Sequence, residues 1–281
     1  MTPSSVAIEI SAGAEPFPAG TPWVGEARAL LERAIRCHGG WARWSEAGGI
    51  AMRLVALGGL LPAAKGLGRT FPRPARIEVW PRQRITVFGD YPDAGARGVF
   101  SAGRVRLVDA RGHVVAESAA PRATFTALRK YRRWSPLDAL YFFGYAVAHY
   151  HGLPFTLVDG RPLGMERASL GGRRLQGVRV ELPADLHTHC RTQTFLFDED
   201  GLLRRHDYVA EIVGSWARGA HLWEDFTSAG GLPVARRRRV LARLGRHPVP
   251  LVALSAQLEA VSATAAAAHL TVSPPEADCG P

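Results

Sequence analysis

Residues 191–214 read RTQTFLFDEDGLLRRHDYVAEIVG, and the fold turns on how they are read. Two extended runs, RTQTFLFD and GLLRRHDYVAEIVG, flank Asp198-Glu199-Asp200-Gly201, where glycine supplies the positive φ that a tight hairpin requires. A unit this short leaves no room for a crossover helix, so its two strands must pair antiparallel. Toward the C-terminus the grammar repeats in AHLWEDFTSA, LPVARRRRVLAR and VPLVALSAQLEAVSA. Toward the N-terminus FTLVD, GMERASLG and RRLQGVRVELP carry it back to Pro154. An earlier block between Gly48 and Glu117 holds IAMRLVAL, ARIEVWP, RITVFGD, RGVFS, RVRLVD and HVVAES, the last two joined by a hairpin at Asp109-Ala110-Arg111-Gly112. Together the blocks predict about ten to twelve strands in near-continuous meander order, well above the usual sheet size. A sheet that long curls, and its hollow side has to be filled.

Helical patterns supply the filling. Over Val24–Cys37, Ala27, Leu30, Leu31, Ala34 and Ile35 recur at helical spacing, and His38-Gly39-Gly40 ends the run as a C-cap. Between the strand blocks, Pro121–Tyr131 and Ser135–Tyr150 read as two helices. Ser135 is placed to be an N-cap, with Pro136 at the first helical position and Asp138 in the first turn. Tyr141, Phe142, Phe143, Tyr145 and Tyr150 lie on several faces of the second helix, which therefore has to be enclosed. The expected fold is α+β: a long curved antiparallel half-barrel with an N-terminal helix and a mid-chain helical insertion over its concave face. The expected organisation is a flexible leader over 1–20, one domain over 21–264 with 121–151 as insertion and lid, and a flexible tail over 265–281.

Composition excludes several classes. With 281 residues and 47% hydrophobic content the chain can bury one sizeable core. Its formal net charge is +10, carried almost wholly by arginine, since Lys65 and Lys130 are the two lysines. No recognition helix, zinc motif or aromatic sheet signature accompanies that charge, so nucleic acid is not an expected partner. Cys37, Cys190 and Cys279 are too few and scattered for a disulfide framework. The first twenty residues lack the basic and apolar regions of a secretory signal, and no apolar run reaches the length of a membrane span, which together give a cytoplasmic expectation. No G-x-S-x-G elbow, P-loop, H-E-x-x-H or dinucleotide fingerprint occurs, so no cofactor is expected.

The strand order, the mid-chain insertion, the run Phe195-Leu-Phe-Asp-Glu-Asp-Gly-Leu-Leu-Arg-Arg, the stretch Leu222–Phe226 and Gly230-Gly231-Leu232-Pro233 before a long basic strand together resemble the lipoprotein-carrier-like (LolA/LolB-like) half-barrels. The resemblance covers most of 24–262. It implies a curved antiparallel sheet cupping a lipid under helices, here in a variant without a signal peptide or lipobox.

Two functions fit such a cup. As a binder it would hold a hydrophobic small molecule among Trp80, Phe88, Phe100, Tyr141, Phe142, Phe143, Tyr145, Phe195, Phe197 and Trp223. Alternation puts two members of the run Arg236–Arg239 on the concave side, and Arg236 and Arg238 are the candidates to meet an anionic group of the ligand or a protein carboxylate. A solvated edge strand explains the same run. As a cofactor-independent isomerase or cyclase the protein would use His206, Tyr208, Glu224 and Asp225 as proton handlers. Strict alternation sets Leu202, Arg204, His206 and Tyr208 on one face, and Trp223, Asp225 and Thr227 on one face of the neighbouring strand. Cross-strand pairing on the solvent side is the alternative. His149/His151 and His187/His189 are each spaced to share a metal if other ligands join them, or to be ordinary loop and helix-end histidines.

Overall fold

The computed structural model describes residues 17, 21–68, 71 and 74–264. The leader and tail expected at 1–20 and 265–281 lie outside these residues apart from Phe17, whose ring is buried with the Arg28 guanidinium 5.1 Å from its centroid.

Thirteen strands form one open antiparallel sheet among the described residues. The first block contributes β1 (Gly49–Gly58), β2 (Ala75–Trp80), β3 (Ile85–Gly89), β4 (Arg97–Ser101), β5 (Arg104–Val108) and β6 (Val114–Ser118). The second contributes β7 (Arg161–Leu170), β8 (Arg173–Glu181), β9 (Thr192–Phe197), β10 (Leu203–Val209), β11 (Arg218–Ala229), β12 (Leu232–Leu244) and β13 (His247–Thr264). Their spatial order is β6-β5-β4-β3-β2-β1-β13-β12-β11-β10-β9-β8-β7. Each block is thus a meander, as the hairpin signals required. The blocks are spliced by β1 against β13, from Gly49↔Thr264 to Gly58↔Ser255, with two irregularities in register. The ends of the sheet are the mid-chain strands β6 and β7, so the segment joining them has to cross from one edge to the other.

That segment carries the plug. Helix α4 (Pro136–Gly152) packs against β2 to β6, and α1 (Gly25–Cys37) lies over β7 and β8 with α2 (Gly40–Glu46) beside it. A short α3 (Leu60–Lys65) sits on β1 and β13. Two apolar cores result. One gathers α4 with β1 to β5, around Phe88, Phe100, Leu140, Tyr141 and Phe142. The other gathers α1 with β8 and β9, around Leu31, Ile35, Val178, Phe195 and Phe197. At roughly 1.5–3 kcal/mol for each large side chain removed from water, these cores rather than helix propensity hold α4 and α1 in place. Among the described residues no helix is long and apolar enough to cross a membrane.

Helix α4 begins where the sequence indicated. Ser135 Oγ accepts from the Asp138 amide at 3.2 Å, and the Asp138 carboxylate accepts from the Ser135 amide at 3.0 Å, a reciprocal capping box. Asp138 is buried and also holds Arg129 at 3.0 Å. Removing the cap by Ser135→Ala is expected to lower unfolding free energy by about 1 kcal/mol, read from the urea midpoint at unchanged slope.

Three local expectations are corrected. Residues 121–131 form two 3₁₀ turns, Pro121–Thr124 and Ala127–Tyr131, because Phe125 between them leaves the helical region (φ −83°, ψ 60°) and buries its ring against Trp134 and Tyr141. FTLVD is a 3₁₀ turn and not a strand: Phe155 stacks flat on Trp44 at 4.5 Å, and a short apolar run has no periodicity to oppose that packing. The strand expected through residue 213 stops at Val209, where the chain turns through Ala210, Ile212 and Val213, all buried.

Candidate functional site

Strict alternation along β10 fails at one place, and that place shapes the site. Leu203 pairs with Phe197 and His206 with Phe195, although three residues separate the first pair's member from the second's on β10 and two on β9. The extra residue, a bulge at Arg204, puts Leu203, His206 and Tyr208 on the face shared with Phe195 and Phe197. Arg204 turns away to bind Asp198, and Arg205 pairs with Asp207 at 2.7 and 2.8 Å on the other face. The register then carries His206 to His221, and Trp223 to Arg238.

Between this part of the sheet, α4 and β13 lies a cavity of about 540 Å³. Its walls are mostly aliphatic and aromatic: Met52, Leu54, Ile77 and Phe88 from β1 to β3, Phe142, Ala146 and Val147 from α4, and Leu254, Ala256 and Leu258 from β13. At its rim Leu60, Tyr131, Trp216, Leu244 and Leu251 are exposed, so an apolar mouth leads to an apolar interior. The polar part of the wall is Lys65, Tyr150, His151, Tyr208, Arg218, His221, Arg238 and Arg243.

These groups front a buried network. Tyr150 Oη donates to Tyr208 Oη at 3.3 Å. Neutral His189 then donates from Nε2 to Tyr150 (2.6 Å) and accepts at Nδ1 from Tyr145 (2.9 Å). The His189 ring stacks on Tyr208 at 4.0 Å, and His206 stacks on Phe195 at 4.6 Å. His206 Nε2 bonds Gln193, whose amide donates to Thr188 and the Cys190 carbonyl. Burial holds every imidazole here in its neutral form: His149 is lowered to about 4, His151 to about 3, and His189, His206 and His221 well below the ordinary value. Burial likewise raises the Tyr145, Tyr150 and Tyr208 hydroxyls, so they donate rather than ionise.

Arg238 is 5% exposed. Its guanidinium carbon lies 3.9 Å from the Trp223 ring centroid and 5.5 Å from that of Tyr150. Its Nε and Nη1 have no hydrogen-bond partner.

Of the residues singled out in the sequence, Phe88, Phe142, Phe143, Tyr208 and Arg238 line the cavity, His206 belongs to the network behind it, and Trp223 backs Arg238. Tyr145 bonds His189 one layer back, and Tyr141 bonds His187 at 2.9 Å. Phe195 and Phe197 are core beneath α1, and Trp80 is buried beside Gly49, where a Cβ would meet its indole at 2.7 Å.

Glu224, Asp225 and Arg236 require correction, since none of them reaches the cavity. His221 and Trp223 take the inner face, so Glu224 points the other way and is held by Arg237 at 3.2 Å and Arg239 at 2.6 Å. Asp225, at φ +55°, meets Arg236 at 2.8 Å in an exposed pair. The proposed convergence of carboxylates with His206 and Tyr208 therefore does not occur.

The two H-x-H pairs also separate. His149 contacts Phe195 and His206 while His151 bonds the Val147 carbonyl at 2.9 Å, and His187 and His189 bond different tyrosines. Among the described residues no group of three or more His, Cys, Asp or Glu side chains is placed to hold a metal ion.

Sequence reasoning missed His221 and the β13 wall, and it named His189 only as half of an H-x-H pair and Tyr150 only as an enclosed helix aromatic, not as members of this network. The signal for His221 was its i, i+2 relation to Trp223; the others depend on which strands and loops meet.

No protein-family model matches the sequence, and no curated protein matches it. Among solved structures the chain is similar to a LolA superfamily protein from Nitrosomonas europaea, at 10% identity and a TM-score of 0.46 over 86% of this chain and 94% of that one. It is also similar to a DUF1329 family protein from Desulfovibrio piger, at 11% identity and a TM-score of 0.43 over 84% of this chain and 92% of that one.

Proposed function

We propose that this protein binds a hydrophobic, lipid-like small molecule inside its curved sheet. The observation that carries the reading is the cavity itself: about 540 Å³, with mostly apolar walls and an apolar rim. That volume falls in the roughly 300–1,000 Å³ range of small-molecule sites. This hollow is a feature maintained against the packing density that interiors normally reach. Exposed Trp216, Leu244 and Leu251 at the mouth cost solubility without adding to the core, which fits a surface that greets an apolar guest. Tyr131, on the helical insertion, stands at the same mouth in the position of a lid.

A neutral apolar dye, N-phenyl-1-naphthylamine, tests the reading by fluorescence titration. Wild-type protein is expected to bind one equivalent. Ala256 sits on the β13 wall between Leu254 and Leu258, and Ala256→Trp fills space there, so its affinity is expected to fall by about tenfold or more. Absence of saturable binding by the wild type, or an undiminished affinity in a folded Ala256→Trp protein, would falsify the proposal.

A further inference from the structure

We propose that the ligand is a single-headed amphiphile ending in a carboxylate, and that Arg238 receives that carboxylate at the inner end of the cavity. The inference rests on the apolar-binding reading above and extends it to the chemistry of the head group.

Arg238 is the observation that demands an explanation. It lies on the cavity wall, yet 95% of its surface is withdrawn from solvent, the complement of its 5% exposure. Among the described residues the arginines around it have their acids: Arg236 has Asp225, while Arg237 and Arg239 share Glu224. Arg238 has none, and its Nε and Nη1 are unpartnered. Burying a guanidinium without an anion is costly, and ring faces alone compensate it only in part. Burial lowers Arg238 to about 10, so it remains a cation at neutral pH.

The surroundings select the anion. His221 has both ring nitrogens without partners, and His151 has its Nε2 free; both line the same cavity. Neutral imidazoles can each donate one hydrogen bond but add no charge. Of the four lysine and arginine side chains on the cavity wall, Lys65 donates to the Lys130 carbonyl, Arg243 faces Asp207 at 3.6 Å and Arg218 is exposed, so the buried end of the site offers the Arg238 charge and a few neutral donors. A carboxylate carries one negative charge and two oxygens that suit a guanidinium fork. A phosphate monoester carries roughly −1.5 to −2 at neutral pH and would leave charge uncompensated in a buried site. The remainder of the wall is mostly apolar, which suits a single hydrocarbon tail running outward to the exposed rim at Trp216 and Leu251.

The test compares palmitate, hexadecanol and hexadecyl phosphate, three probes with the same tail, as competitors of the bound dye at neutral pH. Wild-type protein is expected to prefer palmitate to hexadecanol by about tenfold or more, and to prefer it to hexadecyl phosphate. Arg238→Met is expected to erase the preference by weakening palmitate while leaving hexadecanol within about threefold. Arg238→Lys, which keeps the charge but loses the fork, is expected to fall between. Ligand-free Arg238→Met is also expected to melt at a higher temperature than wild type, because an unpaired buried charge is gone. Equal binding of palmitate and hexadecanol by the wild type, or an unchanged preference in Arg238→Met, overturns the carboxylate assignment and leaves the apolar-binding reading intact. A preference for hexadecyl phosphate overturns the choice of carboxylate. Failure of both palmitate and hexadecanol to bind overturns the apolar-binding reading itself. The wild-type comparison decides the matter even if neither variant folds.

Discussion

On acidification the protein is expected to unfold cooperatively near pH ~5, above the range where carboxylate protonation alone would act. Six histidines are buried: His38, His149, His151, His189, His206 and His221. In each, burial is the largest cause of a lowered pKa, to about 4 for His38 and His149 and about 3 for His151. For His189, His206 and His221 neighbouring histidines and Arg238 or Arg122 push in the same direction. Unfolded histidine takes up a proton near pH ~6.5, so below that value the unfolded chain binds protons that the native chain refuses. Stability is therefore flat above the ordinary imidazole value and declines as pH falls toward the folded values. Each imidazole contributes about 1.4 kcal/mol of loss per pH unit inside that window. Six of them acting together exhaust a typical stability of about 5–15 kcal/mol within one to two pH units. Circular dichroism and tryptophan fluorescence against pH check this. Native signals persisting at pH ~4 would show that the network is hydrated or already protonated in the folded state. His221→Gln is expected to make the decline shallower by about one proton, because it removes one refusing group while keeping a neutral side chain.

Gly144→Leu is expected to cost at least about 3 kcal/mol, the upper end of overpacking effects, and to abolish dye binding. Gly144 is the point where α4 touches the sheet: a Cβ there would lie 2.4 Å from Phe100 Cβ and 2.7 Å from its Cγ. The Gly144 carbonyl also accepts a buried bond from Thr86 Oγ1 at 3.0 Å, so the helix cannot slide aside without orphaning that hydroxyl. Lifting α4 would displace Phe142, Ala146, Val147 and Tyr150 from the cavity wall. Gly68→Leu is the control, since nothing lies within 4 Å of a Cβ at that exposed position and its effect should stay within about 0.5 kcal/mol. Urea unfolding of the two variants beside wild type reads the difference; equal midpoints would mean that α4 is not seated as described.

The sequence made the local grammar legible. Asp198–Gly201 closes the hairpin between β9 and β10, Ser135, Pro136 and Asp138 start α4, and the apolar stripe of α1 faces Phe195 and Phe197. The enclosed aromatic character of α4 correctly implied a helix surrounded by protein. In the site, Phe88 and Phe142 were reachable from their hydrophobicity, whereas Tyr208 and Arg238 were named as candidates without the face they take being legible. Glu224 and Asp225 were misplaced because alternation says which residues share a face without saying which face is hollow, and arginines on the outer surface took both carboxylates.

By itself, then, the sequence determined two antiparallel meanders, the helices that cover them and a curved sheet too long to lie flat. Only the tertiary structure decided that β1 pairs with β13, that a bulge at Arg204 turns His206 and Tyr208 inward beside Phe195, and that Arg238 stands in the cavity without an acid. Hairpins and caps are settled within a few residues by backbone geometry. Pairing between strands some 200 residues apart, and the register shifts that choose a face, are settled by which packing of the whole sheet buries the most surface at the least polar cost.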